Sequence, residues 1–158
     1  MTRITTTVRI RRPIGEVFDY VTTPANWPVW HPASISVSGS SDRPLRLGEE
    51  VVEEFVAGGR RGRATWRVTR RKAPHRWRIE ASSPQGQAAI SYLLSAEGGD
   101  TVFRRDLSYE MPNVWLALLD VLVLRRRMDR ESLIALQRLK GVLEGSPRNE
   151  RSNALAAP

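Results

Sequence analysis

The sequence predicts an α+β fold, a curved antiparallel sheet of about seven strands wrapped around a long C-terminal helix, with two short helices after the first strand. Three observations predict it. The chain opens on an alternating β-branched run from Ile4 to Arg11. Between Gly48 and Glu110 it breaks into strand-like segments separated by short turn signals. A long helical pattern from Asn113 to Leu143 then follows, and the sheet is its only candidate partner.

In the opening segment Ile4, Val8 and Ile10 share one face while Arg9 and Arg11 lie on the other, the period-two pattern of a strand with a wet side. Pro13 suits a helix start, Glu16 sits in the first turn, and Val17, Phe18, Tyr20 and Val21 supply the apolar positions. Thr22-Thr23-Pro24 ends that helix, because the residue before a proline is pushed out of the helical region. Trp27 and Trp30 then fall in a second short helical turn that must end before Pro32. Ile35 and Val37 mark a brief strand, and the run from Gly39 to Pro44 is turn chemistry.

Five further strands are expected, over Glu49 to Val56, Arg63 to Arg71, Arg76 to Ala81, Gln87 to Ser95 and Thr101 to Glu110. The punctuation between them, Gly58-Gly59, Ala73-Pro74, Ser83-Pro84 and Gly98-Gly99-Asp100, is too short for the crossovers of a parallel sheet. The strands therefore form an antiparallel meander. The helix opens near Pro112 or Asn113 and carries apolar spacing through Met128, Leu133, Leu136, Leu139 and Leu143 until Gly145-Ser146-Pro147 stops it. Unbroken, it would reach about 46 Å at about 1.5 Å per residue. Its first half, Val114 to Leu124, is apolar nearly all round, and a kink near Arg125-Arg126-Arg127 is allowed. Residues 1–145 read as one ligand-binding domain and residues 146–158 as a flexible tail.

Composition removes several classes of chemistry. At 158 residues the chain is long enough to bury a core without staples. There is no cysteine, so disulfides, thiolate nucleophiles and thiolate-ligated metals are excluded. His31 and His75 are the only histidines and are far apart, which leaves no metal-ligand cluster. No phosphate-binding loop, dinucleotide fingerprint or nucleophile elbow occurs, so no cofactor is expected. The N-terminus lacks the layout of a secretory signal and no apolar run approaches the roughly 20 residues of a membrane span. A cytoplasmic home is the expectation.

The net charge of +8 is carried by 25 basic residues, all arginine apart from Lys72 and Lys140. Many alternate with apolar residues along strands, which reads as the solvated face of a sheet and not as a nucleic-acid surface. An acidic membrane surface is the lesser alternative.

The order of elements, together with Ile10-Arg11-Arg12-Pro13-Ile14-Gly15-Glu16-Val17-Phe18-Asp19-Tyr20-Val21 and Asn26-Trp27-Pro28-Val29-Trp30-His31-Pro32, resembles the START/polyketide-cyclase (SRPBCC) superfamily of helix-grip proteins, over roughly residues 4–144. The first stretch is similar to the opening "I-x-x-P-x-x-x-V-F-x-y-v" pattern of that superfamily, the second to its "N-W-x-x-W-x-P" segment. The resemblance implies a bacterial polyketide cyclase/dehydrase-like protein and a cavity for a small hydrophobic molecule. It does not imply one activity, since the superfamily includes carriers, receptors and cyclases.

If the sheet grips the helix, counting by twos turns inward Ala64, Trp66 and Val68; Trp77, Ile79 and Ala81; Ala88, Ile90, Tyr92 and Leu94; and Phe103, Leu107 and Tyr109. Arg67, Arg76, Arg78, Glu80, Arg104 and Asp106 turn outward. The strand from Glu49 is ambiguous, because Val51 and Phe55 share a face with Glu53, and Val52 and Val56 share the other with Glu54. Arg105 is the anomaly, since it has the parity of Phe103, Leu107 and Tyr109. The bland expectation is a bulge or register shift that returns it to solvent, or a pairing with Asp120 or a glutamate of the second long strand. The functional alternative is an inward guanidinium that grips an anionic or carbonyl group. Tyr92 and Tyr109 bring hydroxyls to apolar faces, where a bond to backbone is the expected fate. His31 has no carboxylate evident in sequence to orient it as a base.

The candidate ligand-binding residues are thus Trp30, His31, Trp66, Trp77, Ile90, Tyr92, Phe103, Arg105 and Tyr109, with Leu119 from the helix. The leading function is a non-catalytic binder or carrier of a small hydrophobic ligand. The alternative is a polyketide cyclase/dehydrase-like enzyme in which Arg105, Tyr92 or Tyr109 polarises a carbonyl of a poly-ketone. A monomer and a homodimer through an exposed sheet edge are both compatible with the sequence.

Overall fold

The structure, a computed structural model, describes residues 1–39, 42–57, 59–83, 86–110 and 114–145, with the helix followed by its backbone alone over 114–124. The expected cap at Pro112 or Asn113 and the expected tail at 146–158 lie outside the described residues. The chain runs β1 (Thr2–Ile10), α1 (Ile14–Thr22), a single 3-10 turn (Pro24–Asn26), α2 (Trp27–Trp30), β2 (Ser34–Ser38), β3 (Glu50–Ala57), β4 (Arg60–Lys72), β5 (Arg76–Ser83), β6 (Gly86–Glu97), β7 (Asp100–Glu110) and α3 (Val114–Gly145).

All neighbouring strands are antiparallel, in the order β1-β7-β6-β5-β4-β3-β2. The meander thus supplies six consecutive strands, and β1 closes against the last of them. The two short helices occupy the connection between β1 and β2, which are the opposite edges of the sheet. Turn chemistry sets the hairpins. Glu97 pairs with Asp100 across Gly98 and Gly99, whose φ angles of 58° and 90° are the positive values that a two-residue primed turn demands.

The ambiguity of β3 is settled by its partner. Val51 lies opposite Trp66 and Glu53 opposite Ala64, so Val51, Glu53 and Phe55 face inward and Glu54 faces out to Arg63. Phe55 lies over Gly62, where an added Cβ would sit 2.5 Å from the ring. The β4–β5 register shifts between Val68 and Arg70, and beyond that bulge Arg71 lies opposite Trp77. Its guanidinium stands over the Phe18 ring of α1 at 5.5 Å.

Helix α3 is continuous for 32 residues, through Arg125-Arg126-Arg127. Its buried stripe runs through Ser132, Ala135, Leu136, Leu139 and Leu143. Leu133, expected in that stripe, is 54% exposed, because it lies about 100° round the helix from Ser132. The C-terminal half of α3 is fastened to the β1–α1 corner by polar contacts. Arg12 is buried and its Nε donates to the Leu143 carbonyl at 2.7 Å, while its own carbonyl accepts from Thr101 Oγ1 at 2.7 Å. Beside it Glu144 accepts from the Arg11 backbone N–H at 2.9 Å and from Lys140 Nζ at 2.7 Å. These contacts, Lys140 first, pull the Glu144 carboxyl down to about 2.

A cation on the last carbonyls of a helix meets both its unsatisfied acceptors and its negative dipole end. Arg12→Met keeps the length of the side chain and removes the donor. We expect a loss of about 1–3 kcal/mol in urea unfolding, the range for a hydrogen bond from a charged group, with faster amide exchange confined to the last turns of α3.

Candidate functional site

The site is the inner face of the sheet, and the registers define its rows. Val68, Ile79, Ile90, Leu107 and Ile4 form one row across five strands. Trp77, Tyr92, Arg105 and Thr6 form the next, and Leu94, Phe103 and Val8 the one beyond. On the other side of the first row, Ala81, Ala88 and Tyr109 present two small side chains and a half-buried ring. The sequence-predicted residues Trp66, Trp77, Ile90, Tyr92 and Phe103 are all buried on this face. Leu119 lies outside the described residues.

An aromatic floor joins four elements. Tyr92 stacks on Trp77 at 5.1 Å and takes the edge of Phe103 at 5.0 Å and a tilted Trp30 at 6.5 Å. Trp27 meets Trp77 edge-on at 6.1 Å. The tryptophans differ in how their N–H groups end. Trp27 donates to the Val21 carbonyl at 2.9 Å and Trp66 to Glu53 at 2.8 Å, whereas the buried N–H groups of Trp30 and Trp77 have no acceptor among the described residues.

Arg105 does point inward, and the expected bulge is absent. The ladder runs unbroken through Thr6↔Arg105 on one side and Tyr92↔Arg105 on the other, so strict alternation leaves no other face for the side chain. It is 3% exposed. Its Nη1 donates to Ser132 of α3 at 3.4 Å, a long bond, and its Nε has no partner among the described residues. The side chain of Asp120, one of its expected partners, lies outside the described residues. Tyr92 does not follow the expectation of a backbone partner, because its hydroxyl lies beside the Arg105 guanidinium. Burial pushes that phenol up to about 12 against the opposing pull of Arg105.

Ser34 is a candidate-site residue that sequence reasoning missed, and Glu53 was reached only as an unspecified glutamate of the second long strand expected beside Arg105. Glu53 comes from β3 on the far side of the curl yet sits within electrostatic reach of both Arg105 and Tyr92. Burial raises its carboxyl above the usual range, with the nearby Ser34 hydroxyl, the Trp66 N–H and the charge of Arg105 working in the other direction. The signal that singles it out is the parity that Glu53 shares with Val51 and Phe55. His31 keeps some surface exposure, but its Nε2 is enclosed and unpartnered among the described residues. Its Nδ1 accepts from the Ala33 N–H at 3.3 Å, which puts the proton of a neutral ring on Nε2. Burial first, and then the positive charge of Arg105, hold its pKa well below the usual value. His31 is therefore a neutral donor, not a free base.

The outer face has the opposite character. Arg3 and Arg104 share Asp106, Arg9 takes Glu97 and Asp100, Arg63 pairs with Glu54, Arg67 with Glu50 and Arg78 with Glu80. A cleft of about 490 Å³ is lined by Glu50, Arg67, Arg78, Glu80 and Ser108 together with Ala81, Ala88 and Tyr109, and within it Arg67 pairs with Glu50 and Arg78 with Glu80. Among the described residues no cluster of acidic and histidine side chains could hold a metal ion, and no helix is long and apolar enough to cross a membrane.

Comparison with known proteins agrees with this geometry. A family model described as "Polyketide cyclase / dehydrase and lipid transport" matches residues 1–144. Among solved structures, the chain is similar to a protein from Thermus thermophilus, with 16% identity and a TM-score of 0.74 over 92% of this chain and 100% of that one. It is similar to a START superfamily protein from Mycobacterium smegmatis, with 13% identity and a TM-score of 0.73 over 90% of this chain and 97% of that one. It is also similar to the di-domain ARO/CYC BexL from the BE-7585A biosynthetic pathway, with 22% identity and a TM-score of 0.68 over 93% of this chain and 48% of that one. No curated protein matches the chain.

The raised carboxyl of Glu53 has a direct consequence for stability. In the window between the ordinary carboxylate pKa and the raised one, the native state binds more protons than the unfolded chain, so stability falls as pH rises through that window. Glu53→Gln retains an acceptor for Trp66 and cannot ionise. We expect it to be more stable than wild type at neutral pH in urea unfolding, and the gap to close once the pH drops below about 4, where an ordinary carboxylate is protonated too.

Proposed function

Because the chain belongs to the polyketide cyclase/dehydrase and lipid transport family, within the START-like SRPBCC superfamily, we propose that it holds a small, largely apolar molecule between the inner face of the sheet and α3 and does so without changing it chemically. The observation that carries this reading is the surplus of enclosed donors on an otherwise apolar wall. The Trp30, Trp77, His31 and Arg105 N–H groups named above lack acceptors among the described residues. Buried donors of this kind are rare in a finished core, where each left unmade costs about 1–3 kcal/mol. An apolar wall with a few convergent donors is what a ligand-binding site looks like.

A second reading, a cyclase/dehydrase-like enzyme, is favoured by one observation, the Arg105 guanidinium beside the Tyr92 hydroxyl. Together they could polarise a carbonyl of a poly-ketone held in a reactive fold. Weighing against it, the acceptors of the two candidate bases are already in use, the Nδ1 of His31 by the Ala33 N–H and the Glu53 carboxylate by the Trp66 N–H.

Native mass spectrometry of protein purified from its own host should show one retained small molecule, and Ala88→Trp, which fills the wall, should lose it while melting within a few degrees of wild type. Repeated bare spectra would remove the proposal. Formation of a cyclised product from a poly-β-ketone, lost in Arg105→Leu, would replace it with the second reading.

A further inference from the structure

The charges of this protein are distributed in an unexpected way. On the outer face, where water would stabilise them, six strand arginines each hold a carboxylate. Inside, Arg105 holds none among the described residues. Its contacts are the neutral Ser132 hydroxyl at 3.4 Å and the neutral Tyr92 phenol. The other buried arginine, Arg12, shows how the fold treats such a group when its role is structural, with a 2.7 Å bond to Leu143 and Glu16 at 3.9 Å.

A lysine or a carboxyl group in that position could shed its charge, but a guanidinium cannot. An uncompensated buried charge is among the most destabilising features a core can contain. Replacement by Leu or Met would relieve it, and the apolar row of Trp77 and Tyr92 would accept either. Among the described residues no neighbouring carboxylate forms an ion pair with Arg105. His31 offers an enclosed Nε2–H within electrostatic reach of Arg105, and Trp30 and Trp77, which both pack on Tyr92, offer indole N–H groups. Glu53, the one inner-face acid among the described residues, is turned to Trp66 at 2.8 Å, and its burial favours the neutral form. The unsatisfied nitrogens there are all donors, and one of them carries a full charge.

We infer that Arg105 is the seat of a carboxylate, so that the molecule held on the inner face is an amphipathic monoacid with its apolar body on the Trp77–Tyr92–Phe103 floor and its head group on the guanidinium. This deepens the holding function proposed above and rests on it. A neutral carbonyl would satisfy the donors but leave the charge uncompensated. A phosphate, at nearly two negative charges, would overmatch a single cation. A carboxylate matches the guanidinium in charge and in its two parallel acceptors.

The test compares decanoate and naphthoate, each with its own methyl ester, by isothermal titration calorimetry on the full chain at neutral pH. The expected result is binding of at least one acid about ten-fold or more tighter than its ester, the scale of a charge-assisted pair over a neutral one. In Arg105→Met and in Arg105→Gln the acid-to-ester ratio should fall to near one. Two variants are used so that the loss of one to misfolding, checked by thermal melting, leaves the other. Equal affinity of acid and ester for wild type overturns the carboxylate assignment and leaves the holding function standing. An acid preference that survives in both variants overturns Arg105 as its seat. If neither acids nor esters bind, the holding function fails and this inference with it.

Discussion

The structure depends on an uninterrupted antiparallel register across β1, β7 and β6. Nine residue pairs join β1 to β7 and eleven join β7 to β6 without a shift. Because side chains alternate faces with a period of two, that continuity leaves no freedom at any single position. A bulge in β7 that turned Arg105 to water would have turned Phe103 or Leu107 out with it. The fold keeps its apolar rows in place, and an inward charge is the consequence. The irregularities are found elsewhere, at the β4–β5 bulge and at the entry to β2, where a local twist can be absorbed near an edge or over α1.

Polar satisfaction is divided along the same boundary. The corner formed by β1, α1 and the end of α3 is closed by bonds that leave little unpaired. Arg12, Thr101, Lys140 and Glu144 each meet a partner at 2.6–2.9 Å. The exposed outer face carries a set of ion pairs whose individual contributions to stability are small. The inner face between these two regions contains donors without acceptors among the described residues. Tight closure at the C-terminal end of the long helix and unmet donors on the sheet's inner face divide the scaffold into a fastened part and a part with unused donors.

What was legible in the sequence follows from which contacts are local. Periodicity placed every strand within a few residues, and it picked out Arg105, because the signal lay in the alternation of one strand. Turn chemistry at Gly98-Gly99 and the helix start at Pro13 were equally local. The inward face of Glu53 was not legible, because valines on both parities of β3 made either face plausible, and only the pairing of Val51 with Trp66 on β4 decides the matter. Ser132 and Ser34 are unremarkable in sequence and gain meaning from side chains that are distant along the chain. Arg12 stood in a stretch that resembled a family pattern, yet its bond to Leu143 spans 131 positions and left no local trace. Leu133 shows the converse error, since an apolar residue one step off the stripe looks like part of it until the helix is seen against the sheet.

The electrostatics of the inner face also bear on whether it holds or transforms its occupant. General acid–base work at neutral pH needs a group poised to gain and lose a proton there. Burial moves the inner-face candidates in different directions. His31 is pushed well below its usual value and the phenol of Tyr92 up to about 12, both away from that role, whereas the raised carboxyl of Glu53 moves toward it. Beside them stand a fixed positive charge and several fixed dipoles. Such groups can orient a molecule or stabilise negative charge that is already on it, but they do not shuttle protons. Glu53 is the one described inner-face group that burial moves toward proton transfer, and its carboxylate already accepts from Trp66 at 2.8 Å, whereas holding an anionic, mostly apolar molecule asks only for the fixed charge and the donors. The same low dielectric that makes Arg105 costly when unpaired would strengthen its grip on a matching carboxylate.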